Sequence, residues 1–491
     1  MSALNGSAFA HHLSREGKER LSNPMKHISR RVALAGPSMI SMANGEPQPR
    51  LFPVTGVQVH VPLPNTNHSP KSSLFETPKT QILDLQNDGG SAIDLAQALQ
   101  YHSGWGLSKT VEIVQELNRL VHRPHHNNII LTVGNVDAAV KVFRLFGERG
   151  DTMLCEEFTF PGTLNAPHGM GIRWAPLRID ANGIIPEEME QLLHSWDETK
   201  RGKKPRLLYT IPAGQNPTGS TLTVERRQKI YKIARKHDLL ILEDDPYYFL
   251  QYKDGSPASE APADFINSLA PTFLSMDVEG RVLRIDTLSK TLVPGLRLGW
   301  ITCNEFFAEK LLHMVDSSTQ APNGLSQSLF CELLTSGRGW GIDGYLTWCI
   351  GLRNEYQRRR DLFFKGLQEH VLSTGYASTY VPEAGMFFWI EVHVHKHPRW
   401  SAKDAEKDED ARANLLTQQL TDFAFERGLA VMPAAPFSIG PEYRVHDGFD
   451  ITPDMYPKRM NHLRATFAGE DDVIERGLKL MGQVLSEFFL Q

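Results

Sequence analysis

Lys290 stands among residues that suit covalent chemistry on a carbonyl. A strand-like stretch, Val282-Leu283-Arg284-Ile285-Asp286, leads into Thr287-Leu288-Ser289-Lys290, and Arg297 follows seven residues on in Pro294-Gly295-Leu296-Arg297-Leu298-Gly299. A lysine amine that forms an imine needs a lowered pKa, and a nearby cation helps to lower it. The hydroxyls of Thr287 and Ser289 beside the lysine, with Arg297 after it, suit a phosphate group. Together these residues point to a Schiff-base site for pyridoxal 5'-phosphate.

Such a coenzyme has further needs. Its pyridine nitrogen must stay protonated so that the ring can accept carbanion charge, and a carboxylate partner does this. The run Leu239-Leu240-Ile241-Leu242-Glu243-Asp244-Asp245-Pro246-Tyr247-Tyr248 places carboxylates at the carboxyl end of an apolar strand. Ligands of open α/β sheets bind at such ends. Ser-Lys followed by Pro-Gly-x-Arg-x-Gly resembles the cofactor-lysine motif of class I/II aminotransferases, the fold type I pyridoxal phosphate enzymes. That family carries Asp followed three residues later by Tyr. Asp244 with Tyr247 fits, and so does Asp245 with Tyr248; we favour Asp244, with Tyr247 near the ring hydroxyl.

The resemblance extends along the chain in the family's order. Pro212-Ala213-Gly214-Gln215-Asn216-Pro217-Thr218-Gly219 resembles the Asn-Pro-x-Gly turn, which implies that the Asn216 amide meets the ring oxygen and the substrate carboxylate. Phosphate needs backbone N–H groups, and a helix N-terminus supplies them. Thr132-Val133-Gly134-Asn135-Val136-Asp137 resembles the family's phosphate loop. Asn135 and Val136 would donate through the backbone; Val136 stands where the family often has a polar side chain. Phe160, in Glu157-Phe158-Thr159-Phe160-Pro161-Gly162, aligns with an aromatic stacked on the ring. A substrate carboxylate favours a planar, bidentate cation. Arg464, in Leu463-Arg464-Ala465-Thr466-Phe467, resembles the carboxylate-binding arginine of the family.

Tyr101, in Tyr101-His102-Ser103-Gly104-Trp105-Gly106, resembles a tyrosine that reaches the partner's phosphate. It implies a homodimer with shared active sites. Asn44-Gly45-Glu46-Pro47 resembles the segment that closes over substrate, with Asn44 replacing a usual glycine. The finer match is to fungal aromatic-amino-acid aminotransferases, related to kynurenine/2-aminoadipate aminotransferases. It rests on the run from Glu243 to Tyr252, on Phe273-Leu274-Ser275-Met276-Asp277-Val278-Glu279-Gly280-Arg281 and on Pro382-Glu383-Ala384-Gly385-Met386-Phe387-Phe388-Trp389.

The bulk composition agrees with a soluble enzyme. A chain of 491 residues can bury a large core in two or more domains. It is 41% hydrophobic and 22% charged, with a formal net charge of −5. No global basic field points to nucleic acid, and no apolar run is long enough to span a membrane. The N-terminus has no apolar stretch of secretory type, so a cytoplasmic location is expected. Cys155, Cys303, Cys331 and Cys349 are widely spaced, which suits reduced thiols. His393, His395 and His397 alternate along an apparent strand, but no acidic or cysteine partner is nearby and no metal is expected. His122, His125 and His126 read as a loop facing water. Gly-x-Gly-x-x-Gly and Walker-type runs are absent at strand–helix turns, which leaves nicotinamide and nucleotide binding without support.

Residues 1–90 are rich in Pro, Ser, Asn and Gly, and read as an N-terminal arm with little regular structure, part of a small domain and lid. Residues 91–345 alternate apolar strands (128–133, 152–155, 206–211, 239–243, 282–286, 298–303) with amphipathic helices such as 137–147 and 224–237. That pattern argues for an α/β domain, a mostly parallel mixed sheet covered on both faces. Residues 346–491 read as a smaller α+β domain, with helices at 352–369 and 414–427, strands at 386–392 and 463–467, and a final helix after Asp471. The charged stretch 396–413 reads as a solvated loop or helix tip.

The expected activity is transfer of an amino group between an aromatic or long-side-chain amino acid and a 2-oxo acid in ping-pong fashion. Lys290 would hold the coenzyme and move the Cα proton, Arg464 and Asn216 would bind the carboxylate, and Phe387 would wall the side-chain pocket. A β-lyase, decarboxylase or synthase on the same fold is the first alternative. A sensor module without turnover is the second, but the first 90 residues show no helix-turn-helix pattern.

Overall fold

The computed structural model describes residues 6–36, 38–43, 45–64, 79–87, 89–253, 260–401, 408–446, 449–450 and 459–491. Asn44 and residues 402–407 of the charged stretch lie outside the described residues. The chain forms two compact units that interleave along the sequence. One comprises Met1–Glu148, Leu239–Pro246 and Pro257–Gly351; the other Arg149–Asp238, Tyr247–Ser256 and Leu352–Gln491.

In the first unit, Asn128–Thr132, Gly299–Cys303, Val282–Thr287 and Leu240–Asp244 lie side by side in that order. Val282–Thr287 runs parallel to Leu240–Asp244, while Gly299–Cys303 is antiparallel to both of its neighbours. Leu240–Asp244, Val282–Thr287 and Gly299–Cys303 are buried at every position. Strands covered on both faces need apolar residues at consecutive positions, and these have them. Ser108–Val121 and Asn135–Phe146 are amphipathic helices that bury one stripe each.

Two corrections fall in this unit. Residues 1–90 hold regular structure: helix Pro24–Ala35 and the antiparallel pair Gly56–Pro62 with Thr80–Gln86. The alternation Val57-x-Val59-x-Val61 carries a strand's period of two, outweighing the loop-like composition around it. His122 does not face water. It caps helix Ser108–Val121 and is buried, and that burial, with Arg284 as a second cause, holds its imidazole well below the usual range.

In the second unit, Leu207–Thr210, Thr152–Glu156 and Arg173–Leu177 run parallel. Helix Val224–Lys236 starts at Thr223, whose hydroxyl accepts the Arg226 N–H as an N-cap. A separate antiparallel sheet has the order Ala377–Thr379, Phe387–Val392, His462–Thr466, Met432–Pro433. Helix Glu409–Glu426 begins at the Asp408 cap, five residues before the expected start, and Asp471–Phe488 is the closing helix. The helix expected at 352–369 is the later part of Gly341–Gly366, which continues in a π turn, Leu367–Val371.

The three alternating histidines do not share a strand face. The strand stops at Val392 and Val394–Lys396 is a 3-10 turn, so the ring of His393 meets the Gly375 carbonyl at 3.1 Å while that of His397 meets the Phe488 carbonyl at 3.0 Å. The four cysteines are buried and free.

Candidate active site

Lys290 is half-buried in the turn that leaves strand Val282–Thr287. Several bonds fix that turn. Leu288 N–H donates to the Leu298 carbonyl at 3.1 Å and Leu292 N–H to the Leu288 carbonyl at 2.9 Å. The Thr291 hydroxyl takes the Tyr345 hydroxyl at 2.9 Å, and the Thr291 carbonyl takes the Trp348 indole N–H at 2.7 Å. A lysine on a turn held from both sides has a defined origin for its flexible stem.

Beside it, the hydroxyls of Thr287 and Ser289 are 2.9 Å apart. Arg297 adopts a left-handed conformation (φ 46°, ψ 47°) that closes the 3-10 turn Pro294–Leu296. Its guanidinium donates to the Ser289 hydroxyl at 3.5 Å. The same guanidinium packs on Gly134, the N-cap of helix Asn135–Phe146: a Cβ there would lie 2.5 Å from Arg297 Nη2. Gly134 has φ 109° and ψ 172°, a conformation almost confined to glycine. Two hydroxyls, a guanidinium and the first turn of a helix thus meet at a bare glycine. The donor set and its charge suit a phosphate dianion.

Asp244 ends strand Leu240–Asp244 and is buried. The Asn135 side-chain amide donates to its Oδ1 at 2.6 Å and to the Ile285 carbonyl at 3.3 Å. Asp245 lies elsewhere: its Oδ2 is 3.3 Å from Nη1 of fully buried Arg284, which also pairs with Glu243 at 3.3 Å and Asp286 at 2.9 Å. The cradle of Gly134, Ser289 and Arg297 and the buried Asp244 carboxylate offer the donor and acceptor types that pyridoxal phosphate needs.

The second unit carries the other group. Arg464 lies in strand His462–Thr466, and its Nη1 donates to Asn216 Oδ1 at 2.9 Å. Arginine is donor only, so the amide must present its oxygen there and leave its NH₂ as a donor. The Arg464 guanidinium carbon is 4.6 Å from the Phe387 ring centroid and 4.7 Å from that of Phe437. Burial lowers its pKa from the usual guanidinium value. The Tyr247 ring meets Phe387 edge-on at 5.9 Å.

Asn216 sits in a turn pinned by Gln215, whose amide donates to the Phe158 carbonyl at 2.6 Å. Gly214 (φ 57°) lets the turn touch Gly385: a Cβ on Gly214 would fall 2.4 Å from the Gly385 Cα. Phe160 precedes helix Pro161–His168, half-buried, with its ring over Gly162.

The structure therefore brings Thr287, Ser289 and Arg297 together beside Lys290, Asn135 to Asp244, and Asn216, Arg464, Phe387 and Tyr247 to one another. Val136 is 41% exposed and Tyr101 64% exposed, and Gly45 is exposed with open space about it. Phe437 escaped the sequence reading, because a lone aromatic in Ala434-Ala435-Pro436-Phe437 has no periodic partner. So did the side-chain role of Asn135, which reaches Asp244 across 109 residues.

A fold of this kind, with a lysine after a strand, a phosphate cradle and a buried strand-end carboxylate, defines a pyridoxal phosphate enzyme of fold type I. The family described as aminotransferase class I and II matches residues 86–475, and the chain belongs to it. Its cofactor is pyridoxal 5'-phosphate. An L-tyrosine:2-oxoglutarate aminotransferase of Tapinella panuoides is 41% identical, over 98% of this chain and 96% of that protein. An aromatic amino acid aminotransferase of Schizosaccharomyces pombe is 37% identical, over 82% of this chain and 87% of its own length. Among solved structures, the aminotransferase Aro8 from Candida albicans matches with a TM-score of 0.87 and 34% identity, covering 100% of both chains. These relatives favour amino transfer over the lyase, decarboxylase and synthase alternatives.

Proposed function

We propose that the chain moves an amino group between an aromatic L-amino acid and a 2-oxo acid. The observation that carries the aromatic preference is the pair of rings, Phe387 and Phe437, whose centroids lie 4.6 Å and 4.7 Å from the Arg464 guanidinium carbon. A carboxylate-binding cation inside aromatic walls suits a substrate whose side chain is itself an apolar ring. The names of the relatives above point the same way.

Each group has a defined task. Pyridoxal phosphate, when bound, supplies an aldehyde for the amine and a ring that takes up the electron pair released at Cα. Arg464 binds the substrate carboxylate by paired N–H bonds, and the Asn216 NH₂ adds a donor. Lys290 Nζ takes the Cα proton as a base and returns it as an acid. Asp244 would accept the N–H of the ring nitrogen and so keep it protonated, and Tyr247 would stand by the ring hydroxyl. Thr287, Ser289, Arg297 and the backbone of Asn135 and Val136 would hold the phosphate, while Phe160 would cover the ring face. We further assign Tyr101 to the partner's phosphate in a homodimer, Gly45 to the closing segment, and the enzyme to the cytoplasm.

A panel of amino acids against 2-oxoglutarate, phenylpyruvate and indolepyruvate tests the preference. Phenylalanine, tyrosine or tryptophan should give the highest kcat/KM, with 2-oxo acid formed and the amino group recovered on the acceptor. Preference for aspartate or alanine, or release of CO₂, would overturn it. Borohydride reduction should label Lys290.

A further inference from the structure

The amide of Asn135 does something other than hold phosphate. It donates to Asp244 Oδ1 at 2.6 Å and to the Ile285 carbonyl at 3.3 Å. Both partners are acceptors, so the NH₂ must face them and the orientation of the amide is fixed. The Asn135 Oδ1, turned away, is buried with no hydrogen-bond partner among the described residues. Buried polar atoms are nearly always paired, so this arrangement serves the donor end of the amide at the expense of its acceptor end.

Asn135 opens helix Asn135–Phe146 directly after Gly134, and so stands at the phosphate cradle. Its second acceptor, Ile285, lies beside Asp244 in the parallel register of Val282–Thr287 and Leu240–Asp244. One side chain thus ties the start of the helix to the ends of two strands, one of which leads to Lys290. A hydrogen bond of this length fixes the rotation of the Asp244 carboxylate.

We propose that Asn135 is a positioning residue, which acts through Asp244 to hold the ring nitrogen's partner aimed, and couples that partner to the phosphate cradle. The inference rests on the pyridoxal phosphate reading of the site. Phosphate binding itself needs only the backbone N–H at this position, which any replacement but proline keeps.

The test uses the purified full chain with Asn135→Ala, Asn135→Asp, Asp244→Asn and the double variant Asn135→Ala/Asp244→Asn. Loss of a hydrogen bond to a charged group should weaken coenzyme binding by roughly tenfold or more in Asn135→Ala. It should also move the pH midpoint of the visible absorption of the holoenzyme. The apoprotein's affinity for inorganic phosphate should be unchanged. Asn135→Asp, which puts a like charge beside Asp244, should be worse than Asn135→Ala. In the Asp244→Asn background, removing the Asn135 amide should cost little more. Equal losses in both backgrounds, an unmoved pH midpoint, or a matching loss of phosphate affinity would overturn the proposal. Failure of the parent chain to bind the coenzyme would instead overturn the cofactor reading. Thermal melts of the apoproteins separate loss of fold from either result.

Discussion

Replacing Gly134 by alanine should damage coenzyme binding by two separable routes. The first is local: alanine at φ 109°, ψ 172° is strained by about 1–3 kcal/mol, and this lowers folding stability with or without coenzyme. The second is transmitted. The new Cβ would fall 2.5 Å from Nη2 and 3.1 Å from Cζ of Arg297, so the guanidinium must withdraw from the helix start. A hydrogen bond to a charged group contributes about 1.5–3 kcal/mol, so losing one from Arg297 should weaken coenzyme affinity roughly ten- to hundredfold. The assay is titration of the apoproteins with pyridoxal phosphate, and with pyridoxal, which lacks the phosphate. Gly134→Ala should hurt the first and spare the second. In an Arg297→Ala background the same glycine change should cost little further affinity, because the group it displaces is gone. Affinity equal to the parent's, or equal losses in both backgrounds, would refute the packing of Arg297 on Gly134 as the source of the effect.

Other changes test the remaining parts. Arg464→Lys keeps the charge but loses the fork geometry and the bond to Asn216 Oδ1, so steady-state kinetics should show KM for the amino acid raised about tenfold or more. Glu156 is buried, and desolvation pushes its carboxyl up to about 7 from 4.5, against the opposing bonds from the Thr210 hydroxyl and the Ile211 N–H. A carboxyl raised in the fold contributes stability that is lost as pH rises from about 4.5 through 7. Urea melts should therefore show Glu156→Gln gaining on the parent chain across that window, with a ceiling of about 3 kcal/mol, and no further gain above it.

Much of the first unit's sheet was legible because buried strands advertise themselves as unbroken apolar runs bounded by turns. Leu240-Ile241-Leu242 at the start of Leu240–Asp244 is such a run, whereas Arg284 and Asp286 interrupt the apolar residues of Val282–Thr287. The types of residue at the site were legible too, since imine chemistry, phosphate and carboxylate each demand particular groups at strand ends and helix starts. What could not be read were meetings across long sequence separations. Phe437 joins Arg464 only through the 3-10 turn Ala435–Phe437 and its packing with Phe158, Trp389 and Met460. The strand Gly56–Pro62 was legible in its alternation but was masked by the composition around it.

Three consecutive acids, Glu243, Asp244 and Asp245, show why the register of the acid–tyrosine pair stayed open in the sequence and how the fold separates its members. Side chains on a strand alternate between faces. Parallel pairing sets Glu243 opposite Arg284, so Glu243, Asp245 and Asp286 fall on the face occupied by that guanidinium. Glu243 also takes the N–H groups of Phe273 and Leu274 at the start of a short helix. Asp244, one residue out of phase, points to the opposite face, where Asn135 meets it. A shift of one residue in this strand would exchange the two sets, putting the lone acid on Arg284 and its neighbours against the amide. Breaking the Arg284 cluster would leave buried carboxylates without their counter-charge. That cost, on the face away from Asp244, opposes a slip of the strand and so helps to keep a single acid presented beside the phosphate cradle.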